Sequence, residues 1–200
     1  MPDDLTLTQG FPDALRPQAA RLYDAAFGAK LSVAISDGPA RLALLAAAFD
    51  PSHALVARVG GELVGIAGFQ SATGSLTSGI TFAQLRHHLG LFRALWAALI
   101  LALYERPSTP GQLLMDGISV SPNARGRGVG TALLHHLIDF ATHQGYQTIR
   151  LDVIDTNPGA RRLYERLGFV AIRTERFDAL RGLLGFGAAT TLAFQLPATS

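Results

Sequence analysis

The sequence predicts an α/β fold in one compact domain, and three observations predict it. The chain has 200 residues, 48% of them hydrophobic, which is enough to bury one core and too short to need two. From 113 to 154 it reads strand, glycine-rich turn, helix, strand, a unit whose right-handed crossover makes the two strands parallel. Gly60-Gly61 separates two β-rich runs, so an antiparallel hairpin is expected as well. One domain over 1–200 is expected, with a helical insert at about 72–110.

In chain order, Leu5 and Leu7 alternate with threonines as in a first strand, and 12–27 is amphipathic through Leu15, Ala19, Leu22 and Ala26, with Gly28 as its stop. A second helix is expected over 42–49, closed by Asp50-Pro51. The hairpin arms are 54–59 and 63–69, and the two glycines supply the positive-φ positions of a two-residue turn. A Gly, Ser and Thr loop over 71–79 leads into the insert, where Phe82, Leu85, Leu89, Phe92, Trp96, Leu99 and Leu103 recur at steps of three and four. Gly90 is its weak point, and 107–111 should end it. Then come a strand over 113–120, a turn over 121–130, a helix over 130–144 capped by Gly145, and a strand over 148–154. Asn157-Pro158 has the order N-cap then first-turn proline, so another helix starts there and ends at Gly168 before a strand over 169–174. A last strand is expected over 190–196.

Composition narrows the function. The formal net charge is only +2, with Lys30 the sole lysine, so the pI of 9.4 reflects arginine replacing lysine and nucleic acid is not implied. Zero cysteines exclude disulfides, a cysteine nucleophile and thiolate metal sites. Met1-Pro2-Asp3-Asp4 is acidic with no apolar run behind it, so a cytoplasmic protein is expected. The longest apolar run, 94–104, has 11 residues, whereas a membrane span needs about 20. The six histidines form no spaced set with carboxylates, and no metal is expected. Between 161 and 181 six arginines face three acids, an excess that either draws nucleotide phosphates or forms a solvated face.

The chemistry concentrates in 120–134, where Gly126, Gly128 and Gly130 lie between a strand and a helix. A turn without β-carbons lets successive N–H groups point at one anion, and the helix behind adds its positive dipole end. A pyrophosphate would fit there; tight packing alone is the bland alternative. The triphosphate loop is excluded because Val129-Gly130-Thr131 stands where Lys-Ser/Thr is required. The dinucleotide fingerprint fails because position 131 is threonine rather than glycine.

This segment resembles the GNAT superfamily of acetyl-CoA-dependent N-acetyltransferases, whose pyrophosphate loop reads Arg/Gln-x-x-Gly-x-Gly/Ala, matched by Arg125, Gly128 and Gly130. A second family element agrees: Asn157, Ala160, Leu163-Tyr164 and Gly168-Phe169. The resemblance is strong over 113–174 and rests on element order alone over 1–70. It implies a mixed, mostly antiparallel sheet flanked by helices on both faces, with the strands 113–120 and 148–154 splayed so that the pantetheine arm enters between them. It further implies that Ile118 and Val120 offer backbone groups to that arm, and that the amides of Arg125, Gly126, Arg127, Gly128, Val129 and Gly130 hold the pyrophosphate. Thr131 would add a hydroxyl, and Asn157 would bond the pantetheine or its neighbourhood.

The family reaction is direct attack of a neutral amine on the acetyl thioester, which needs positioning, a base and a proton donor for the thiolate. Tyr164 matches the family tyrosine near the sulfur; as a core tyrosine beside Leu163 and Leu167 it would have no such role. Asp116 and Asp152 interrupt apolar strands; a carboxylate there is costly without a partner, so each is a candidate base or a structural bond. Two further readings stand beside the enzyme: a regulatory module that binds acyl-CoA without turnover, and a membrane-surface acyltransferase resting on the insert. The insert is expected to form one long helix of about 33 Å over 82–103, or two broken near Gly90, with its stripe buried in a homodimer or on the parent domain. The acceptor amine is not readable from these motifs.

Overall fold

The structure, a computed structural model, describes residues 2, 4–102, 109–178 and 181–197. Their strands form one eight-stranded sheet: β1 (Thr6–Gln9), β2 (Ala54–Val59), β3 (Glu62–Ser71), β4 (Gly74–Ser75), β5 (Gln112–Val120), β6 (Thr148–Ile154), β7 (Val170–Arg176) and β8 (Ala188–Gln195). The order is β1-β2-β3-β5-β6-β8-β7, with β4 paired to β3. Only β5 and β6 run parallel; the other pairs are antiparallel. The mixed, mostly antiparallel α/β architecture is therefore as expected.

Helices cover both faces, and strand β2 shows why its sequence reads as a continuous apolar run. Its Leu55 and Ala57 lie in one core with Leu133, Leu134 and Leu137 of α5 (Val129–His143). Its Ala54 and Val56 lie in a second core with Ala19, Ala20, Leu22 and Tyr23 of α1 (Arg16–Leu31) and Leu45 of α2 (Gly38–Ala48). Over 54–57 alternate residues are buried on opposite faces, so that stretch has no place for a polar one, and Arg58 comes only where the strand leaves the core. The hairpin turn is as expected, with φ of 56° at Gly60 and 86° at Gly61.

Several boundaries differ from those expected, and side chains explain two of the shifts. Helix α1 continues past Gly28 to Leu31, because this glycine serves a side chain rather than a stop: a Cβ there would lie 2.8 Å from Asp24 Oδ1. Asp24 is thereby free to take Arg41 of α2 in a two-pronged ion pair, 2.6 Å to Nε and 3.1 Å to Nη2. Helix α2 begins at Gly38, earlier than position 42, because Asp37 accepts from the Ala40 amide at 3.0 Å and Pro39 presets the first turn.

The insert is two helices, α3 (Phe82–Leu89) and α4 (Leu91–Ala102), separated at Gly90, whose φ of 76° is left-handed. They pack on the body through a third core of Leu85, Ala94, Ala97 and Ile100 against Ala34, Ile35 and Leu44. The expected burial of the large stripe does not hold within the chain. Leu85 is buried, but Phe82, Phe92, Trp96 and Leu99 face outward, because the break turns α4 so that its alanines make the close approach. Leu103 and the start of the expected terminator at 107–111 lie outside the described residues.

Candidate active site

The site begins where the parallel pair stops. β5 and β6 are in register only from Gln112↔Thr148 to Met115↔Leu151. Beyond that, β5 stays on β3 up to Val120 and β6 stays on β8 up to Ile154, so the two strands part. A bulge sits at the fork: Phe69 faces Met115 and Gly68 faces Gly117, which leaves Asp116 as the extra residue on β5. Gly117 next to it must be small, because a Cβ would overlap the Phe27 ring of α1.

The backbone of β5 is turned toward the opening. The Ser121 amide donates to Val64 O at 2.9 Å, and bonded and non-bonded pairs alternate along an antiparallel ladder. Val120 opposite Gly65 and Ile118 opposite Ala67 therefore point their N–H and C=O groups away from β3, into the gap. Val120 O is occupied by Arg125 Nε at 3.1 Å, which leaves its N–H and both groups of Ile118 facing the gap.

The glycine turn follows. Gly126 and Gly128 take φ of 72° and 81°, and no side chain caps α5. The first bond inside α5 runs from Ala132 N–H to Gly128 O at 2.9 Å, so the amides of Val129, Gly130 and Thr131 are the orphan donors of the first turn. Gly130 also brings α6 (Pro158–Arg166) close, since a Cβ there would touch Leu163 at 3.4 Å.

Between these parts lies a polar cavity of about 430 Å³ lined by Ala25, Ala26, Ile118, Ser119, Val120, Arg125 and Asn157. Four of the residues singled out in the sequence, from three separate segments, thus meet around one space. Asn157 is held by capping α6, its Oδ1 accepting from the Ala160 amide at 3.1 Å, and its amide nitrogen remains a donor. Ala25 and Ala26, a small pair on α1, were not foreseen; nothing in their chemistry marks them. Ser119 was not foreseen either, and it fastens α1 to β5 by donating to Leu22 O at 2.6 Å.

The other candidates stand further back. Tyr164 is 4% exposed and shares the α5-side core, and burial raises its hydroxyl well above the usual tyrosine range. Asp116 is close enough to Tyr23 that its charge, after burial, helps raise that hydroxyl. Asp152 accepts from Thr191 Oγ1 at 2.6 Å. Arg127 and Gly126 are exposed on the turn.

The profile of the Acetyltransferase (GNAT) family matches residues 18–169. The chain belongs to the GNAT acetyltransferase family. Among its curated relatives, streptothricin acetyltransferase of Streptomyces lavendulae is 38% identical over 58 residues, covering 29% of this chain and 31% of that protein. The ribosomal protein bS18-alanine N-acetyltransferase of Escherichia coli is 46% identical over 52 residues, covering 26% of this chain and 35% of that one. The matched part thus spans about a third of these relatives' length. Solved structures share the fold over nearly the whole chain. The N-acetyltransferase from Staphylococcus aureus Mu50 superposes with a TM-score of 0.65 at 18% identity, covering 94% of this chain and all of that one. Salmonella typhimurium yncA, solved with its cofactor acetyl-CoA, gives 0.57 at 19% identity, covering 99% and 97%.

In this GNAT chain the arginine excess beyond 161 is partly spent on ion pairs, Arg161 with Glu165 at 2.8 Å, Arg173 with Glu175 at 2.9 Å and Arg181 with Asp155 at 3.2 Å. Among the described residues no group of three or more His, Asp or Glu side chains is placed to hold a metal ion, and no helix is long and apolar enough to cross a membrane.

Proposed function

We propose that this GNAT enzyme moves an acetyl group from acetyl-CoA to the primary amine of an acceptor. The observation that carries the reading is the cavity at the β5–β6 fork, where unpaired strand groups of Ile118 and Val120 lie beside the uncapped start of α5. One end offers the hydrogen-bond ladder that a pantetheine amide chain needs; the other offers an anion site for a pyrophosphate. The 125–130 turn and Thr131 would hold the pyrophosphate, and the Asn157 amide nitrogen would donate to the pantetheine.

In the reaction the neutral amine nitrogen bonds to the thioester carbonyl carbon, the C–S bond breaks, the nitrogen loses a proton and the sulfur gains one. Asp116, on the bulge facing the α1 side, is the base in this reading, taking the amine proton directly or through water. Asp152 steadies the opposite wall in this reading, which its bond from Thr191 supports. Tyr164 is the donor to the departing sulfur: its hydroxyl makes no hydrogen bond among the described residues, and burial keeps it protonated. A thiol-release assay of acetyl-CoA against a panel of amines, amino acids and peptides, with propionyl-CoA and succinyl-CoA as alternative donors, tests the reading. Turnover with an N-acetylated product supports it, whereas tight binding without release on every acceptor points to a binding module.

A further inference from the structure

The α3–α4 hairpin is built inside out for a helix pair exposed to water alone. Its buried side chains on α4 are Ala94, Ala97 and Ile100, while its largest ones point outward: Phe82 at 43% exposure, Leu91 at 51%, Phe92 at 85%, Leu95 at 53%, Trp96 at 48% and Leu99 at 60%. An isolated exposed leucine needs no explanation, but six large apolar groups on one short hairpin do. The charge pattern says what kind of surface they meet. No acidic residue occurs between Glu62 and Glu105, whereas Arg86 and Arg93 are exposed on the same hairpin and His87 and His88 stand in the last turn of α3.

We propose that this face docks flat on an anionic lipid surface. Phe, Leu and Trp on one side with arginine at the flank and no acid on either helix is the make-up of a helix pair that lies in a membrane interface, where the arginines meet lipid phosphates; Asp37, at the edge of the face, lines the same cleft as Arg93. Trp96 is suited to that interface, because its indole N–H already donates to Val33 O at 3.0 Å and its ring can enter an apolar phase with no donor left unmade. The 12 residues of α4 extend about 18 Å, which suits lying on a bilayer and not crossing one. A second copy of the chain is the weaker occupant: self-pairing of this face brings Arg86 and Arg93 of each copy together, four arginines against the two copies of Asp37 at its edge.

Trp96 is the sole tryptophan, so emission from the whole protein reads this face directly. With vesicles of phosphatidylglycerol and phosphatidylcholine, the emission should shift to the blue and be quenched by bromine-labelled acyl chains. Binding should exceed that to pure phosphatidylcholine by about tenfold or more. Leu95→Asp with Leu99→Asp should remove binding while thermal melting stays cooperative, and Arg86→Gln with Arg93→Gln should remove the preference for anionic lipid. Emission indifferent to vesicles overturns the proposal, as does equal binding to both lipids. A wild-type dimer in sedimentation whose emission is already blue-shifted and unchanged by vesicles assigns the face to a second copy instead.

Discussion

Thr191 donates its hydroxyl to Asp152 Oδ1 at 2.6 Å across the β6–β8 pair, whereas Asp116 occupies the bulge on the other wall of the same opening. In the proposed reaction the two carboxylates have different duties. Asp116→Asn is expected to lower kcat by about 10²- to 10⁴-fold with acetyl-CoA affinity kept, as for loss of a general base. Asp152→Asn is expected to change kcat far less and to cost about 1.5 kcal/mol of stability through the weakened hydrogen bond. Steady-state kinetics and urea unfolding of both variants check the division; equal losses of kcat would refute it.

Tyr164→Phe keeps the core shape and removes only the donor. We expect kcat to fall by about 10- to 10⁴-fold with acetyl-CoA affinity nearly unchanged. An unchanged kcat would make Tyr164 a packing residue.

The buried tyrosines also predict an alkaline weakness. Burial, joined for Tyr23 by the charge of Asp116, raises the hydroxyls of Tyr23 and Tyr164 above the ordinary value, which is about 10. Above that pH the unfolded chain loses protons that the folded chain retains, so this stability is intact below about pH 10 and is lost as pH rises beyond it, by up to about 1.4 kcal/mol per pH unit for each group. Urea unfolding at rising pH should show the decline, and Tyr164→Phe should make it shallower.

The α1–α2 junction carries a further expectation. Arg41 is 9% exposed and bonds both oxygens of Asp24 and also Ile35 O at 2.7 Å. Arg41→Met leaves Asp24 without its cation in a shielded place and should cost about 3 kcal/mol, read by denaturant unfolding.

The sequence made the half of the chain after 113 legible because its signals there are local. Glycines that need positive φ, an Asn-Pro helix start and a strand-turn-helix order each act within a few residues, so Gly128, Asn157 and the β5–β6 pair fell where expected. What it hid depends on distant partners. Gly28 looks like a helix stop until Asp24 and Arg41 are seen to use the space beside it. Ala25 and Ala26 acquire meaning only when α1 is laid against β5. The stripe from Phe82 to Leu99 has the period of a buried face, but period does not tell which side of α4 faces the body; the small Ala94 and Ala97 settle that by allowing closer approach. Asp116 and Asp152 looked alike as isolated acids on strands, and only register separates a bulge from a paired position.

The most direct test of the site is calorimetric titration of acetyl-CoA into the wild type and Gly128→Glu. Position 128 has open space around it and a φ of 81°, so a side chain there is strained and, under the proposed binding mode, would stand in the pyrophosphate's place, where its carboxylate would repel that anion. The wild type should bind acetyl-CoA, and a Gly128→Glu protein that still melts cooperatively should not. Equal affinity in the two would contradict the proposed site.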